Sequence, residues 1–424
     1  MNEISILKRL ERFLKDKSAF PEDKNFPIYD IEDFYANNIG CSIENDAVLA
    51  LSLRYCALDS LPEAIEQLTE LRLLDVTGNK LASLPDWLSN LKCLQKLYVD
   101  DNHLTFLPTW LANLSQLTEI HADRNQLVAL PENIDRFTAL KTLNAYGNRL
   151  VSVPQGISRL RALREISLGK NQLRSLPEAF WHLTGLQLLN IAENQLSFLS
   201  EGIGDLRQLH TLDIAHNQLT AIPESLGKLS KLTYFLYISN NHLTDISPSL
   251  FENLKNLRYL NLTDNQLTAL PENIGQLTNL QELRLYNNAL TTLPESLGNL
   301  VNLQELHIMK NRLVSLPTSI GNLASLKELR LSDNRLSMLP TSTGKLAHLT
   351  HLDLRNNNLT VLPESLGQLA ALTHLDLRGN RLRFLPACIG DLPKLEKLDL
   401  RWNKLATLPK SLQQLEQRGC VLLI

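Results

Sequence analysis

The chain has 424 residues, of which 44% are hydrophobic but only 6% aromatic, and its formal net charge is −3. That length exceeds what one hydrophobic core supports, so several domains or a repeat array are implied, with a core of aliphatic side chains in place of large rings. The near-neutral charge gives no electrostatic footprint for DNA, RNA or an acidic membrane, which argues against nucleic acid as a partner.

At the N-terminus, MNEISILKRLERFLKDK places Ile4, Leu7, Leu10 (or Glu11) and Leu14 at helical spacing, with Ile6 and Phe13 broadening the apolar stripe. Charges fall in every turn, so the segment does not read as a signal peptide, and nowhere do about 18 apolar residues run together as membrane insertion requires. Residues 1–47 are expected to form an N-terminal helical cap, a helix followed by an irregular segment; a partner-docking helix is the alternative. The stretch YDIEDFYANNIG (29–40) lacks the Asp/Asn, Gly and Glu spacing of a calcium loop. Five cysteines at scattered spacings suggest reduced thiols and a cytoplasmic protein. The sequons at Asn113, Asn261 and Asn358 then read as by-products of a motif rich in Asn, Leu and Thr.

From about residue 48 the chain repeats itself. An asparagine recurs from Asn79 to Asn403 in steps of 23, with steps of 24 on either side of Asn241, and Cys56 takes its place in the first unit. Counted from it, apolar residues sit at −8, −5, −3, +2, +5, +9 and +12, and proline at +6 in fourteen of sixteen units. The alternation at −5 and −3 is half of a short strand, too small to stand alone but able to bury its leucines when copies stack in parallel. The asparagine, with one acceptor and a two-proton donor, suits a buried turn whose backbone groups need partners. Proline ends each strand, and glycine at +10 in eight units discourages a long helix on the return path.

The pattern L-x-x-L-x-L-x-x-N-x-L-x-x-L-P over residues 48–424 resembles the leucine-rich repeat superfamily, in the 23-residue form similar to intracellular Ras-group and prokaryotic arrays. The resemblance implies an α/β fold: a curved solenoid, parallel strands on its concave face and short helical or 3-10 arms on its convex face. Sixteen repeats are expected over 48–417, then a capping strand over 418–424 with Val421 and Leu423 at −5 and −3. It also implies a protein partner on the concave face.

If strands line that face, recognition falls to positions −6, −4, −2 and −1. The early units there are acidic (Asp75, Asp100, Asp101, Glu119, Asp123). The middle is aromatic: Tyr146, Phe235, Tyr237, Tyr259 and Tyr286, with Arg284, His307, Met309 and Arg330 beside or beyond them. Exposed aromatics on a rigid surface are the usual anchors of protein interfaces, although tyrosine also favours strands for packing alone. The last zone is zwitterionic, with HLDLR twice and KLDLR once placing Asp353, Asp376 and Asp399 in one column, Arg355, Arg378 and Arg401 in the next, and Trp402 at the end. This reads either as a self-neutralising charge lattice left by duplication or as a docking strip.

His351 and His374 beside Asp353 and Asp376 form an acceptable zinc set by residue type, but repeat duplication accounts for the pairing, and no metal or cofactor is expected. STGKL (342–346) lacks the context of a phosphate loop, and HExxH and GxSxG are absent. The expectation is a non-catalytic intracellular interaction scaffold. A secreted bacterial effector that binds host proteins and a self-associating assembly protein are the alternatives, the oligomeric state being open.

Overall fold

The computed structural model describes residues 3–21, 23–30 and 37–424. Two compact units divide the chain, Met1–Leu196 and Ser197–Ile424. Residues 31–36, in the acidic stretch YDIEDFYANNIG, lie outside the described residues, as does the side chain of Ile4.

The first unit opens with helix α1 (Glu3–Asp16), which packs against the first arm, Glu63–Gln67. Ile6, Leu7, Leu10 and Leu14 are buried, as the helical spacing predicts. Polar contacts pin the helix: Glu3 accepts from the Val48 amide, and Glu11 accepts from the Phe26 amide at 2.9 Å and from Lys15 at 2.7 Å. The segment after it is more regular than its sequence suggests. Strand β1 (Ile39–Glu44) pairs antiparallel with β2 (Ala47–Leu53), through a turn whose residues Asn45 and Asp46 both have positive φ, 51° and 64°. Two left-handed residues give the tight twist that a two-residue hairpin demands, and Asn and Asp tolerate that conformation best after glycine.

Short parallel strands follow in strict register, for example Leu74 beside Leu97 and Leu97 beside Ile120. In the second unit, strands of three residues run from Thr211–Asp213 to Val421–Leu423, again in parallel register. In the repeat strands before the last one, the central leucine or isoleucine and the aliphatic residue two positions later are buried, as with Leu283 and Leu285, while the flanking positions are exposed to different extents.

The asparagines form the expected ladder, and it interlocks. Asn311 Oδ1 accepts from the Leu290 amide at 3.0 Å, while its Nδ2 donates to the carbonyls of Leu285, Ile308 and Met309 at 2.9, 3.2 and 3.1 Å. Carbonyls at −3 are shared between successive asparagines: Leu285 O also accepts from Asn288, and Ile308 O from Asn334.

The arms are 3-10 turns, entered from an extended proline such as Pro294 (φ −71°, ψ 149°) whose carbonyl accepts from the Leu297 amide. The +10 glycines have a stronger reason than helix avoidance. A Cβ on Gly298 would sit 2.5 Å from both Cβ and O of Ser319 in the next arm, and one on Gly275 would lie 2.5 Å from Ser296 O. Glycine there lets neighbouring arms touch backbone to backbone.

The cap strand departs from its expected register by one residue. Leu422 pairs with Leu398, so Val421 and Leu423 fall at −6 and −4, and Val421 is exposed. The last arm is an α-helix, Leu412–Gln417, and the step from Leu398 to Leu422 is one residue longer than that from Leu375 to Leu398. A slip of one residue exchanges the two faces of a strand.

Candidate functional site

In the second unit the parallel register turns the free positions into two columns. Phe235, Tyr259, Glu282, Glu305 and Glu328 stand in the first; Tyr237, Asn261, Arg284, His307 and Arg330 stand in the second. Neighbouring side chains are therefore held at strand spacing on a rigid support.

The aromatic residues meet. Phe235 stacks on Tyr237 at 5.6 Å between centroids and 21° between planes, meets Tyr259 edge-on at 5.5 Å, and Tyr237 lies 5.0 Å from Tyr259. The Arg284 guanidinium sits 5.6 Å from the Tyr259 ring centre while its Nε bonds Glu282 at 2.5 Å. Such ring pairs and the cation over Tyr259 fix the side chains before any partner arrives. Burial raises the Tyr237 hydroxyl's pKa, helped by Asp213, and pushes Tyr259 up to about 12, so both stay protonated donors at neutral pH. Arg284 is held charged: burial opposes it, but the Glu282 hydrogen bond wins and raises its pKa.

The cluster starts at the unit with the first extra residue. There, Thr233 and Tyr234 both donate to His210 O, at 3.3 and 3.1 Å, and Tyr234 is extruded to 52% exposure beside Phe235, which is 41% exposed. Tyr286 and Met309 lie half-buried just past the strands. His307, expected as a contact residue, is instead buried, with Nε2 2.9 Å from Glu305; Arg330 takes the exposed role and pairs with Glu328 at 2.7 Å. A histidine is short enough to fold down onto its own strand's glutamate, where the longer arginines reach solvent.

The zwitterionic zone forms ion pairs along and across strands. Arg378 bonds Asp376 at 2.6 Å and Asp399 at 3.2 Å, Arg401 bonds Asp399 at 2.7 Å, and Arg355 lies 3.4 Å from Asp353. Burial would raise Asp399, but its arginines overcome this and lower its pKa; Asp353, less well paired, is raised by burial. His351 and His374 stack face to face at 4.5 Å and 11°, each with Nδ1 at hydrogen-bond distance from the preceding threonine hydroxyl, 2.9 and 3.0 Å, which engages one nitrogen of each ring. They line a depression of about 270 Å³ with Arg330, Asp353, Arg355 and Asp376. Trp402 is 73% exposed with φ 60°, the left-handed conformation that its position imposes in most units, and Arg401 lies 5.7 Å from its ring centre.

In the first unit Tyr146 belongs to a different cluster. Its hydroxyl bonds Glu193 at 2.6 Å and its amide donates to Asp123, whose own amide donates to Asp100 at 2.6 Å. Burial, with Asp123 and Asp75 nearby, pushes the Asp100 carboxyl up to about 7 against the hydrogen bond that it accepts. Tyr98 and His121 meet at 4.5 Å between ring centres with their planes tilted by 56°, and Tyr98 bonds Glu119 at 2.8 Å. Neither residue stands out in the sequence, where the early units read as acidic, although both occupy −4, the position of Tyr237.

Sequence profiles described as leucine-rich repeat region match residues 239–341, and those described as leucine rich repeat match 138–196 and 324–382, with four shorter matches between 70 and 415. Among solved structures the chain is similar to a leucine-rich repeat protein of Leptospira interrogans, at 34% identity and TM-score 0.83, over 94% of this chain and 100% of that one. A plant peptide hormone receptor, RGFR1, solved in complex with RGF2, is similar at 29% identity and TM-score 0.68, over 86% of this chain and 65% of that one. An internalin from Listeria monocytogenes matches at 26% and 0.63, over 73% and 87%. No curated protein matches the chain by sequence. The chain belongs to the leucine-rich repeat family, whose fold serves as a scaffold for protein–protein interaction.

Proposed function

We propose that the protein is a non-catalytic scaffold that binds a protein partner on the strand face of its second unit, through Phe235, Tyr237, Tyr259 and Arg284. The observation that carries this reading is the aromatic trio packed ring against ring, with Arg284 charged and over Tyr259, on strands in parallel register. Side chains already held in one geometry lose little entropy on binding, and Tyr and Arg dominate the energetics of such surfaces. The zwitterionic ladder from Asp353 to Arg401 supplies charge complementarity, which tunes encounter and specificity more than affinity. That the plant receptor RGFR1 is solved with RGF2 is in keeping with a polypeptide ligand.

The cytoplasm is the proposed location. Cys41 and Cys56 are buried free thiols whose pKa values burial pushes up to about 12 and 11, inert groups that suit a reducing compartment. Replacing Tyr237, Tyr259 and Tyr286 together by alanine should abolish capture of the partner in affinity purification from the native source, with thermal unfolding nearly unchanged. A partner retained by the triple variant would place binding elsewhere.

A further inference from the structure

Three successive strands repeat one pair with a single exception: Glu282 and Arg284, Glu305 and His307, Glu328 and Arg330. The three carboxylates stack in one column, and like charges at strand spacing repel unless each has a counter-charge. Glu282 has Arg284 at 2.5 Å and Glu328 has Arg330 at 2.7 Å, but among the described residues Glu305 is paired with the imidazole of His307 in place of a guanidinium. The middle row thus carries a metal-ligating group where its neighbours carry a permanent cation.

We infer that Glu282, Glu305 and His307 form a binding site for a divalent transition-metal ion of the zinc type. One donor atom from each lies within 4.8 Å of the others, close enough that side-chain shifts of about 1 Å bring all three onto one ion with ligand bonds of about 2.0–2.2 Å. His307 is more than nine-tenths buried, with Nε2 directed at Glu305, so the imidazole is already fixed in place. Two carboxylates and one imidazole neutralise a dication, and because Glu282 and Glu305 are only half-buried, water has access to complete the coordination. An imidazole with two carboxylates selects a borderline ion over the hard magnesium or calcium, which take oxygen ligands alone.

Arg284 is the internal competitor, because it holds Glu282 in the metal-free protein. Its guanidinium already lies against the Tyr259 ring and can rest there when the carboxylate turns to the ion. Among the described residues the stacked His351 and His374 belong to no such three-donor group, and one nitrogen of each is engaged by a threonine hydroxyl.

The inference is independent of the protein-binding reading and is tested on the full chain without any partner. Titration with cobalt(II), followed by visible absorption, and with zinc(II), followed by calorimetry, should show one equivalent bound. His307→Ala and Glu282→Gln should each weaken binding by about tenfold or more, while the double variant His351→Ala/His374→Ala leaves it unchanged. Arg284→Ala should tighten it. Circular dichroism verifies that each variant is folded. Absence of a cobalt band at millimolar metal overturns the assignment, as does binding that survives His307→Ala or is lost with the histidine pair.

Discussion

The interlocked asparagine ladder predicts an unusual energetic signature. In Asn311→Ala, the Leu290 amide loses its acceptor, Asn311 Oδ1 at 3.0 Å. The three carbonyls that Asn311 serves keep other donors: Leu285 O retains Asn288, Ile308 O retains Asn334, and Met309 O retains the Asn287 amide at 2.9 Å. One orphaned buried donor costs about 1–3 kcal/mol, and the lost hydrogen bonds, backed by substitutes, add about 1 kcal/mol more, giving ~2–4 kcal/mol in all. Removing Asn334 as well leaves Ile308 O without either side-chain donor, so Asn311→Ala/Asn334→Ala should be worse than the sum of the single variants by about 1 kcal/mol or more. Chemical denaturation gives the totals, and hydrogen exchange across residues 285–295 reports the local opening at Leu290. Additivity within about 0.5 kcal/mol, or unchanged exchange in the single variant, would refute the sharing of carbonyls.

Two further predictions concern stability. Gly298→Ala should destabilise the arms by about 1–3 kcal/mol, because the new Cβ meets both Cβ and O of Ser319; adding Ser319→Ala should not relieve it, since alanine keeps both atoms. A neutral result in urea denaturation would show that the arms can move apart. Asp100→Asn keeps an acceptor for the Asp123 amide but removes the charge. With its carboxyl near 7 when folded against an ordinary aspartate value of 3.8, the folded chain holds the extra proton, so this group's stabilisation is complete below about pH 4 and is lost as pH rises through 7. The variant should therefore unfold at a higher temperature than the parent at pH 8 and show little advantage at pH 4; a pH-independent difference would contradict the burial argument.

How much is legible in the sequence differs by level. The strands, the asparagine turns, the 3-10 arms and the helical cap follow from periodicities of 23, two and 3.6 residues, which are local and repeat often enough to overrule exceptions. The hairpin of Ile39–Glu44 with Ala47–Leu53 is hidden because its turn is Asn-Asp, without the glycine that usually signals one. The register of the cap strand is hidden too, because a true helix, Leu412–Gln417, consumes one residue more than a 3-10 arm, and no local pattern reveals that.

The aromatic column is readable as a set of residues, since fixed strand spacing makes Phe235, Tyr237 and Tyr259 neighbours wherever the repeat holds. What needs the tertiary structure is the direction of each side chain. Burial of His307 on Glu305, exposure of Trp402, and the parallel stacking of His351 with His374 depend on which neighbours across strands compete for the same space and charge. The sequence alone determined that the chain stacks and which positions remain free. Only packing between strands decided which of those free side chains reach solvent, because that choice is settled between residues about 23 apart in the chain and about 5 Å apart in space.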